Sequence, residues 1–448
     1  MATDLFEDLP EASAQKGSAG SSGAARVSRP MRNQPGWEMV DLDHLVASDH
    51  PVRLVAGFVE GLDLSALYAG IKARSHGPGR DAIDPALLLS LWLWAVVDGV
   101  GSAREVAKLC ERDLPYRWLC GGVGVNPHAL SDFRSGNGAL LDKLLSDSVT
   151  ALVSAGLVKL DVVAHDSLKV RASAGSSSFR RNERLGLIRK GVEERIGFLK
   201  AELDEAPDAS SKRKATARLR AQEVLLERAR KAQAVMEELK ARQAKQRKKD
   251  RVDAKTGKDK ELRVSTTDPE ARVLVMAGGE WRPAWSLQIT TDPATLVVVG
   301  LGVHDGPDQG QIRPALEQVE ARYGTRPKTM LADCGFCAKQ DISFAHQRGT
   351  EAVIPSNRAA KEGDRTYACT YRNDMPGIPE WRRRMVELAT KALYRLRCRT
   401  ECVHAQMRNR GLQFLRLRGK VKVRAEALLH LLAHNMLCSF RLRAEALV

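Results

Sequence analysis

An α/β fold with a helical N-terminal region is predicted for this chain, on three observations. Residues 40 to 150 carry repeated helix-start chemistry around apolar runs. Residues 180 to 262 place apolar side chains at helical spacing. The remaining strand-like and helical runs follow the order strand, strand, strand, helix, strand, helix, strand, helix. With 448 residues and 43% hydrophobic content the chain can bury more than one core, so two or three domains are expected.

Taken in order, the first 36 residues are polar, and GSAGSSGAA within them reads as a flexible leader rather than a signal peptide. Asp84-Pro85 opens the apolar run Ala86 to Val97, with proline in the first turn. That run is too short to span a bilayer and reads as a buried helix. SAREVAKLCER follows as a helix with Ser102 as its expected cap, and Asn126-Pro127 opens HALSDFRS. The connection between these last two is too long for a strict helix-turn-helix. In the insertion, Ile188, Val192, Ile196, Leu199 and Leu203 form one helical stripe. EAPDASS breaks it, Ser210 or Ser211 is the expected cap of the next helix, and Leu225, Ala229, Ala232, Met236 and Leu239 form a second stripe. This predicts an antiparallel helical hairpin ending in the basic run Lys245 to Lys249, which reads equally as a DNA contact or a solvated face. WSLQITTD and TLVVVGLGV predict an antiparallel strand pair turning at Asp292-Pro293. Arg313 to Tyr323 is a helix, Lys328 to Ala332 a strand, and Glu351 to Ile354 a last short strand.

Lys and Arg number 71 against 55 acidic residues, a formal charge of +16. Such an excess favours polyanion binding through salt-sensitive phosphate contacts, although an ordinary solvated surface also fits it. Eight cysteines in a chain of this length do not make a disulfide framework. Cys334, Cys337, Cys398 and Cys402 have the spacing of a four-thiolate zinc site, weighed here against small buried thiols.

The most informative cluster is Tyr394, Arg397, Glu401 and Arg408, spaced three, four and seven within ALYRLRCRTECVHAQMRNRG. At about 100° per residue all four project within roughly 60° of one another on an α-helix. An i, i+4 salt bridge explains Arg397 with Glu401 at a few tenths of a kcal/mol, but not the tyrosine or the second arginine. A catalytic carboxylate flanked by phosphate-binding arginines explains all four.

The spacing Tyr-x2-Arg-x3-Glu-x6-Arg resembles the Tyr-Arg-Glu-Lys signature of bacterial insertion-sequence DDE transposases, with Arg408 where that signature usually has lysine. VVAHDSLKVRASAG resembles the family's first catalytic strand, which implies Asp166 as the first carboxylate. MLADCGF resembles the second and implies Asp333, although Cys334 stands where family members often have a small residue. GLQFLRLRGKVKVRAEALLHLLAHNM resembles the helices that follow the catalytic glutamate. STTDPEARV, GPDQGQ and LCERDLPYRWLCGG also read like the family, so the likeness covers most of residues 40 to 440.

Two aspartates at strand ends and a glutamate on a helix crossing the sheet can meet at one point. Phosphodiester cleavage and joining both need in-line attack at phosphorus, stabilised by two Mg²⁺ ions about 3.5–4 Å apart. Magnesium takes oxygen ligands and keeps several waters, so few carboxylates suffice. Asp161 competes with Asp166; their odd separation puts them on opposite faces of a continuous strand, and Asp166 is preferred mainly on the resemblance. His165 is read as a packing or hydrogen-bonding residue beside the site.

The resemblance implies a ribonuclease H-like mixed-sheet catalytic core over 156–445, interrupted by the hairpin at 180–262, with a helical DNA-end-binding region at 37–155. It implies a transposase that binds terminal inverted repeats and catalyses strand cleavage and strand transfer. Asp166, Asp333 and Glu401 would hold Mg²⁺, with Mn²⁺ as a substitute, while Tyr394, Arg397 and Arg408 position phosphates. The expected partner is double-stranded DNA at element ends and target, bound by a homodimer, in a cytoplasmic, nucleoid-associated protein without a membrane segment. The alternatives are an inactive or domesticated DNA-binding protein and a metal-dependent nuclease that does not join strands.

Overall fold

The core is a six-stranded mixed sheet built around β1 (Val162–Arg171). The computed structural model describes residues 41–71, 81–205, 208–249, 261–356 and 370–446. The expected leader, 1–36, lies outside them, as do the side chains of 246–249 in the basic run. On one side β1 runs antiparallel to β5 (Trp281–Thr291), whose far edge is shared by β6 (Val298–His304) and β4 (Arg272–Val275). On the other side β1 runs parallel to β7 (Thr329–Ala332), which pairs in parallel with β8 (Glu351–Val353). Antiparallel strands leading into parallel ones, joined through helices, make a ribonuclease H-like sheet. β2 (Phe179–Arg180) and β3 (Val264–Ser265) form a separate two-stranded ladder at the base of the hairpin.

The expected β5–β6 hairpin forms. Its turn is held by Asp292, which accepts hydrogen bonds from the Ala294 amide and the Thr295 hydroxyl, at 3.0 and 2.8 Å. Leu296 then sits at φ +66°, a conformation a branched side chain adopts only when its surroundings insist. His434 supplies part of that insistence, with a ring nitrogen 2.9 Å from the Leu296 carbonyl oxygen. Asn435 grips the start of β6 from both sides, accepting from the Val298 amide (2.8 Å) and donating to its carbonyl (2.7 Å). The His434-Asn435 pair is therefore a brace for the sheet.

The helical region packs on the same core. It contains α1 (Pro51–Glu60), α2 (Ser65–Ala69), α3 (Pro85–Val97), α4 (Ala103–Arg112), α5 (Leu114–Cys120), α6 (Pro127–Gly136) and α7 (Gly138–Ser154). Asp84 caps α3 through the Ala86 amide and Asn126 caps α6 through the Ala129 amide, both at 2.8 Å. Ser102 makes no side-chain cap bond to α4, contrary to expectation. As expected, α3 is buried nearly all round. Its Trp92 donates to the Leu130 carbonyl at 2.9 Å, so the indole loses no hydrogen bond on burial. Among the described residues no helix is long and apolar enough to cross a membrane.

The insertion is an antiparallel helical hairpin of α8 (Asn182–Glu205) and α9 (Ala209–Lys249). Val192 and Leu199 of the first stripe and Ala229, Ala232 and Met236 of the second are buried, and Leu185 packs with Ala232 and Met236 in one apolar cluster. The cap of α9 is Asp208, which accepts from the Ser210 and Ser211 amides; a carboxylate two positions before Ser210 outcompetes both serines. Later helices are α10 (Ile312–Tyr323), α11 (Lys339–Gln347), α12 (Ile378–Val386), α13 (Leu388–Tyr394), α14 (Cys398–Asn409) and α15 (Lys420–Glu445). α15 lies between α3, α6 and α7 on one side and β6 on the other, so residues from Leu42 onward form one compact unit.

Burial on α15 has a measurable consequence. It holds the His430 imidazole neutral, its pKa pushed down to about 3, with the Arg134 and Arg416 charges adding to the effect. An imidazole kept neutral in the folded chain takes up its proton only on unfolding. Its contribution to stability is complete above about pH 6.5 and is lost as pH falls towards that lowered value. Thermal unfolding followed from pH 7.5 down to 4.5 should show falling stability. His430→Gln should flatten that slope by up to about 1.4 kcal/mol per pH unit, the value for one proton. An unchanged slope would mean that His430 titrates normally in the folded chain.

Candidate active site

The register of β1 on β7 places the two aspartates side by side. His165 is opposite Ala332 in this parallel pair, so Asp166 and Asp333 are the next residues on each chain. There the strands part. Asp333 turns the chain out of β7 into a short 3-10 turn, its carboxylate accepting the Gly335 amide at 2.8 Å. β1 instead continues, because its antiparallel pairing with β5 runs on to Arg171. Asp166 thus lies within a strand and not at a strand end, which corrects the expectation. Its neighbour His165 points to the opposite face, with ring nitrogens 2.9 Å from the Thr290 hydroxyl and 3.1 Å from the Gln288 side-chain oxygen. Burial pushes the His165 pKa down to about 4, and its ring stands edge-on to Phe336. Asp161 is exposed before β1 begins and pairs with Lys328 at 3.1 Å, away from Asp333.

Glu401 comes in on α14. Thr400 ties that helix to β5 through a 3.0 Å contact with the Thr291 hydroxyl, and Val403 and Met407 bury its inner face. The segment from Tyr394 to Arg408 is not one α-helix as expected. Leu388–Tyr394 and Cys398–Asn409 are joined by a 3-10 turn at Arg395–Arg397, which tightens the helix just before the glutamate. The tightening aims Arg397 at two carboxylates. It donates to Glu401 and to Asp166, the latter at 3.4 Å, while its Cζ lies 5.9 Å from the Tyr394 ring centroid. Arg408 makes no ion pair within 4 Å among the described residues, so the two arginines differ in kind.

The electrostatics tie the three acids together. Asp166 has only 13% of its side chain exposed, and burial pushes its pKa up to about 6. The charges of Asp333 and Glu401 push it further up, while the Ser167 amide and Arg397 hold it down. His404, which sequence reasoning did not single out, also belongs here. It is buried with Nδ1 3.9 Å from Asp166, and its Nε2 has no hydrogen-bond partner among the described residues. On the opposite face of β1, with His165, Asp308 accepts from the Ser167 hydroxyl (3.2 Å) and the Gln288 amide (2.9 Å) and so braces the strand from behind. GPDQGQ contained Asp308, and one turn of helix separates His404 from Glu401; neither signal stands out without the sheet. The four cysteines do not gather: Cys334, Cys398 and Cys402 are exposed free thiols and Cys337 is half-buried.

Comparison with known families settles the class. The family described as Transposase domain (DUF772) matches residues 40–136, and the one described as Transposase DDE domain matches 259–436. Together the two spans cover more than half of the chain. The chain belongs to the DDE transposases. No curated protein and no solved structure matches it. The matched spans include Asp333 and Glu401 and leave out Asp166, whose place beside Asp333 comes from the register just described.

Asp166, Asp333 and Glu401 carry the hard carboxylate oxygens that magnesium or manganese prefers. Among the described residues, no three His, Cys, Asp or Glu side chains already stand in metal-binding array. The Arg397 guanidinium takes up an oxygen of Asp166 and one of Glu401. The residue types fit a divalent ion, and Arg397 is the side chain that must turn aside for them to share one.

Proposed function

We propose that this transposase binds the terminal inverted repeats of an insertion sequence and catalyses strand cleavage followed by strand transfer at Asp166, Asp333 and Glu401. One observation carries the reading: the β1–β7 register sets Asp166 beside Asp333, and Arg397 links Asp166 to Glu401. Asp166, Asp333 and Glu401 would hold Mg²⁺, with Mn²⁺ as a substitute, which would stabilise the charge on the attacking and leaving oxygens. Arg397, released from the carboxylates, would hold a phosphate in line with the nucleophile, and Tyr394 packs against it to limit its swing. Arg408, one heptad past Glu401, offers a second guanidinium to the backbone. The helical region 37–155 would grip the element ends, and two copies would bring two ends together. Double-stranded DNA is then both substrate and target, which fits a nucleoid-associated protein of the cytoplasm.

The test is a linear duplex carrying the element's terminal sequence, incubated with a second duplex as target, with and without Mg²⁺. The expected products are a nick exposing a 3′-OH and then a joined strand. Binding without either product supports the inactive DNA-binding alternative, and a nick that never joins supports the nuclease. A further expectation separates the arginines. Arg408→Ala should weaken binding to any duplex and lower the slope of log affinity against log salt by about one unit, with Arg408→Lys keeping the slope. An unchanged slope in Arg408→Ala would remove Arg408 from the DNA contact. Complete loss of activity in Arg408→Lys would mean a forked contact that lysine cannot make.

A further inference from the structure

A second basic cleft opens where β1 ends. Past His165, β1 has lost β7 as a neighbour, and the chain leaving α14 takes up the vacated edge. The Arg171 amide donates to the Gln413 carbonyl at 3.3 Å, and the Leu415 amide donates to the Arg171 carbonyl at 2.8 Å, which sets Phe414 beside Arg171. The cleft has a volume of about 410 Å³, and its lining includes Arg171, Arg282, Arg418, Phe414, Ser173 and Pro283. That size falls in the roughly 300–1,000 Å³ range of small-ligand pockets. None of the three arginines makes an ion pair within 4 Å among the described residues. Arg418 is held by its Nε alone, which donates to the Ser173 carbonyl at 3.1 Å and to its hydroxyl at 3.3 Å. The carboxylate whose charge reaches Arg418 is that of Asp268, which is buried and already bonded to the Gly419 amide and the Trp285 indole. Phe414 is 40% exposed in this cationic setting.

Three guanidiniums without a close ion pair call for phosphate, and an exposed aromatic ring among them calls for a base face. A base inside a duplex cannot offer its face, whereas an unpaired one can. We propose that this cleft holds one nucleotide of a single-stranded stretch of DNA, its base stacked on Phe414 and its flanking phosphates on Arg171, Arg282 and Arg418. Arg171 is five residues beyond Asp166 on one strand, or roughly 17 Å at about 3.3 Å per residue. The bound nucleotide thus lies several nucleotides from the scissile bond, on a strand opened near the reaction. The inference rests on the DNA-processing reading above and adds an unpaired strand as a ligand.

The experiment is fluorescence anisotropy on the full chain, with a short labelled oligothymidylate and a labelled duplex at matched salt. Phe414→Ala should weaken oligothymidylate binding about tenfold or more while changing duplex affinity by less than about twofold, and Phe414→Trp should restore it. Arg282→Gln should lower the single-strand salt slope by about 0.7. Melting temperatures within about 2 °C of wild type would show that these surface changes leave the fold intact. Equal losses for both ligands, or none for either, in Phe414→Ala would overturn the proposal, as would an unchanged slope in Arg282→Gln. If cleavage still depends on the three carboxylates in that case, the cleft falls and the transposition reading stands. If the wild-type chain binds neither DNA, both fall.

Discussion

Asp166→Asn should reduce metal-dependent cleavage of an end-containing duplex by about a thousandfold or more, while Asp161→Asn keeps near-full activity. The size follows from removing one of three carboxylates that would hold the metal ions, whose charge would stabilise the transferring phosphoryl group, a loss of several kcal/mol at about 1.4 kcal/mol per tenfold. The contrast follows from placement. Asp161 stands outside β1 on Lys328, whereas Asp166 shares a field with Asp333 and Glu401. The substitution Asp→Asn preserves shape, so a gel shift with the same duplex should change little. Full activity in Asp166→Asn, with loss in Asp161→Asn, would move the first carboxylate five residues upstream and require a different strand register in the working enzyme.

Glu426→Ala should cost the fold about 3–5 kcal/mol, seen as a melting temperature lower by roughly 4–6 °C. Glu426 is buried on α15, where burial pushes its carboxyl above the ordinary range. It accepts the Arg416 and Leu417 amides at 3.0 and 2.9 Å and faces Arg134 of α6 at 3.4 Å. Arg134 in turn donates to the Gly101 carbonyl at 2.7 Å and lies over the Trp92 ring at 4.4 Å. Truncating the acid leaves a buried guanidinium without its countercharge and two amides without an acceptor, and it is this desolvated remainder that destabilises. Arg134→Met with Glu426→Leu should recover much of the loss. A cost near 1 kcal/mol for Glu426→Ala would mean that water reaches the pair.

Much of this was legible because it is local. The cap at Asp84, the two hairpin stripes and the β5–β6 pairing all follow from residues within a few positions of one another. So does the turn at Asp333, where Gly335 leaves room for the carboxylate to take its amide. The misses are of two sorts. Some are close competitions: Asp208 rather than a serine caps α9, and the 3-10 turn at Arg395–Arg397 lies in a stretch with no proline or glycine to announce it. Others depend on tertiary contacts that no spacing encodes. Arg134 meets Glu426 from 292 residues away. β1 outlasts β7 only because β5 is long, which is why Asp166 is not at a strand end. His404 joins the site only once the fold brings its helix to Asp166, and Asp308 meets the opposite face of β1 through Ser167.

The claim that matters most is that Asp166, Asp333 and Glu401 form one divalent-ion site. It is tested by counting Mn²⁺ bound to the full chain with its duplex, by electron paramagnetic resonance, in the wild type, Asp333→Asn, Glu401→Gln and Asp161→Asn. The tightly bound ion should be lost or greatly weakened in the first two variants and retained in Asp161→Asn. The wild-type complement of Mn²⁺ persisting in both Asp333→Asn and Glu401→Gln would contradict it.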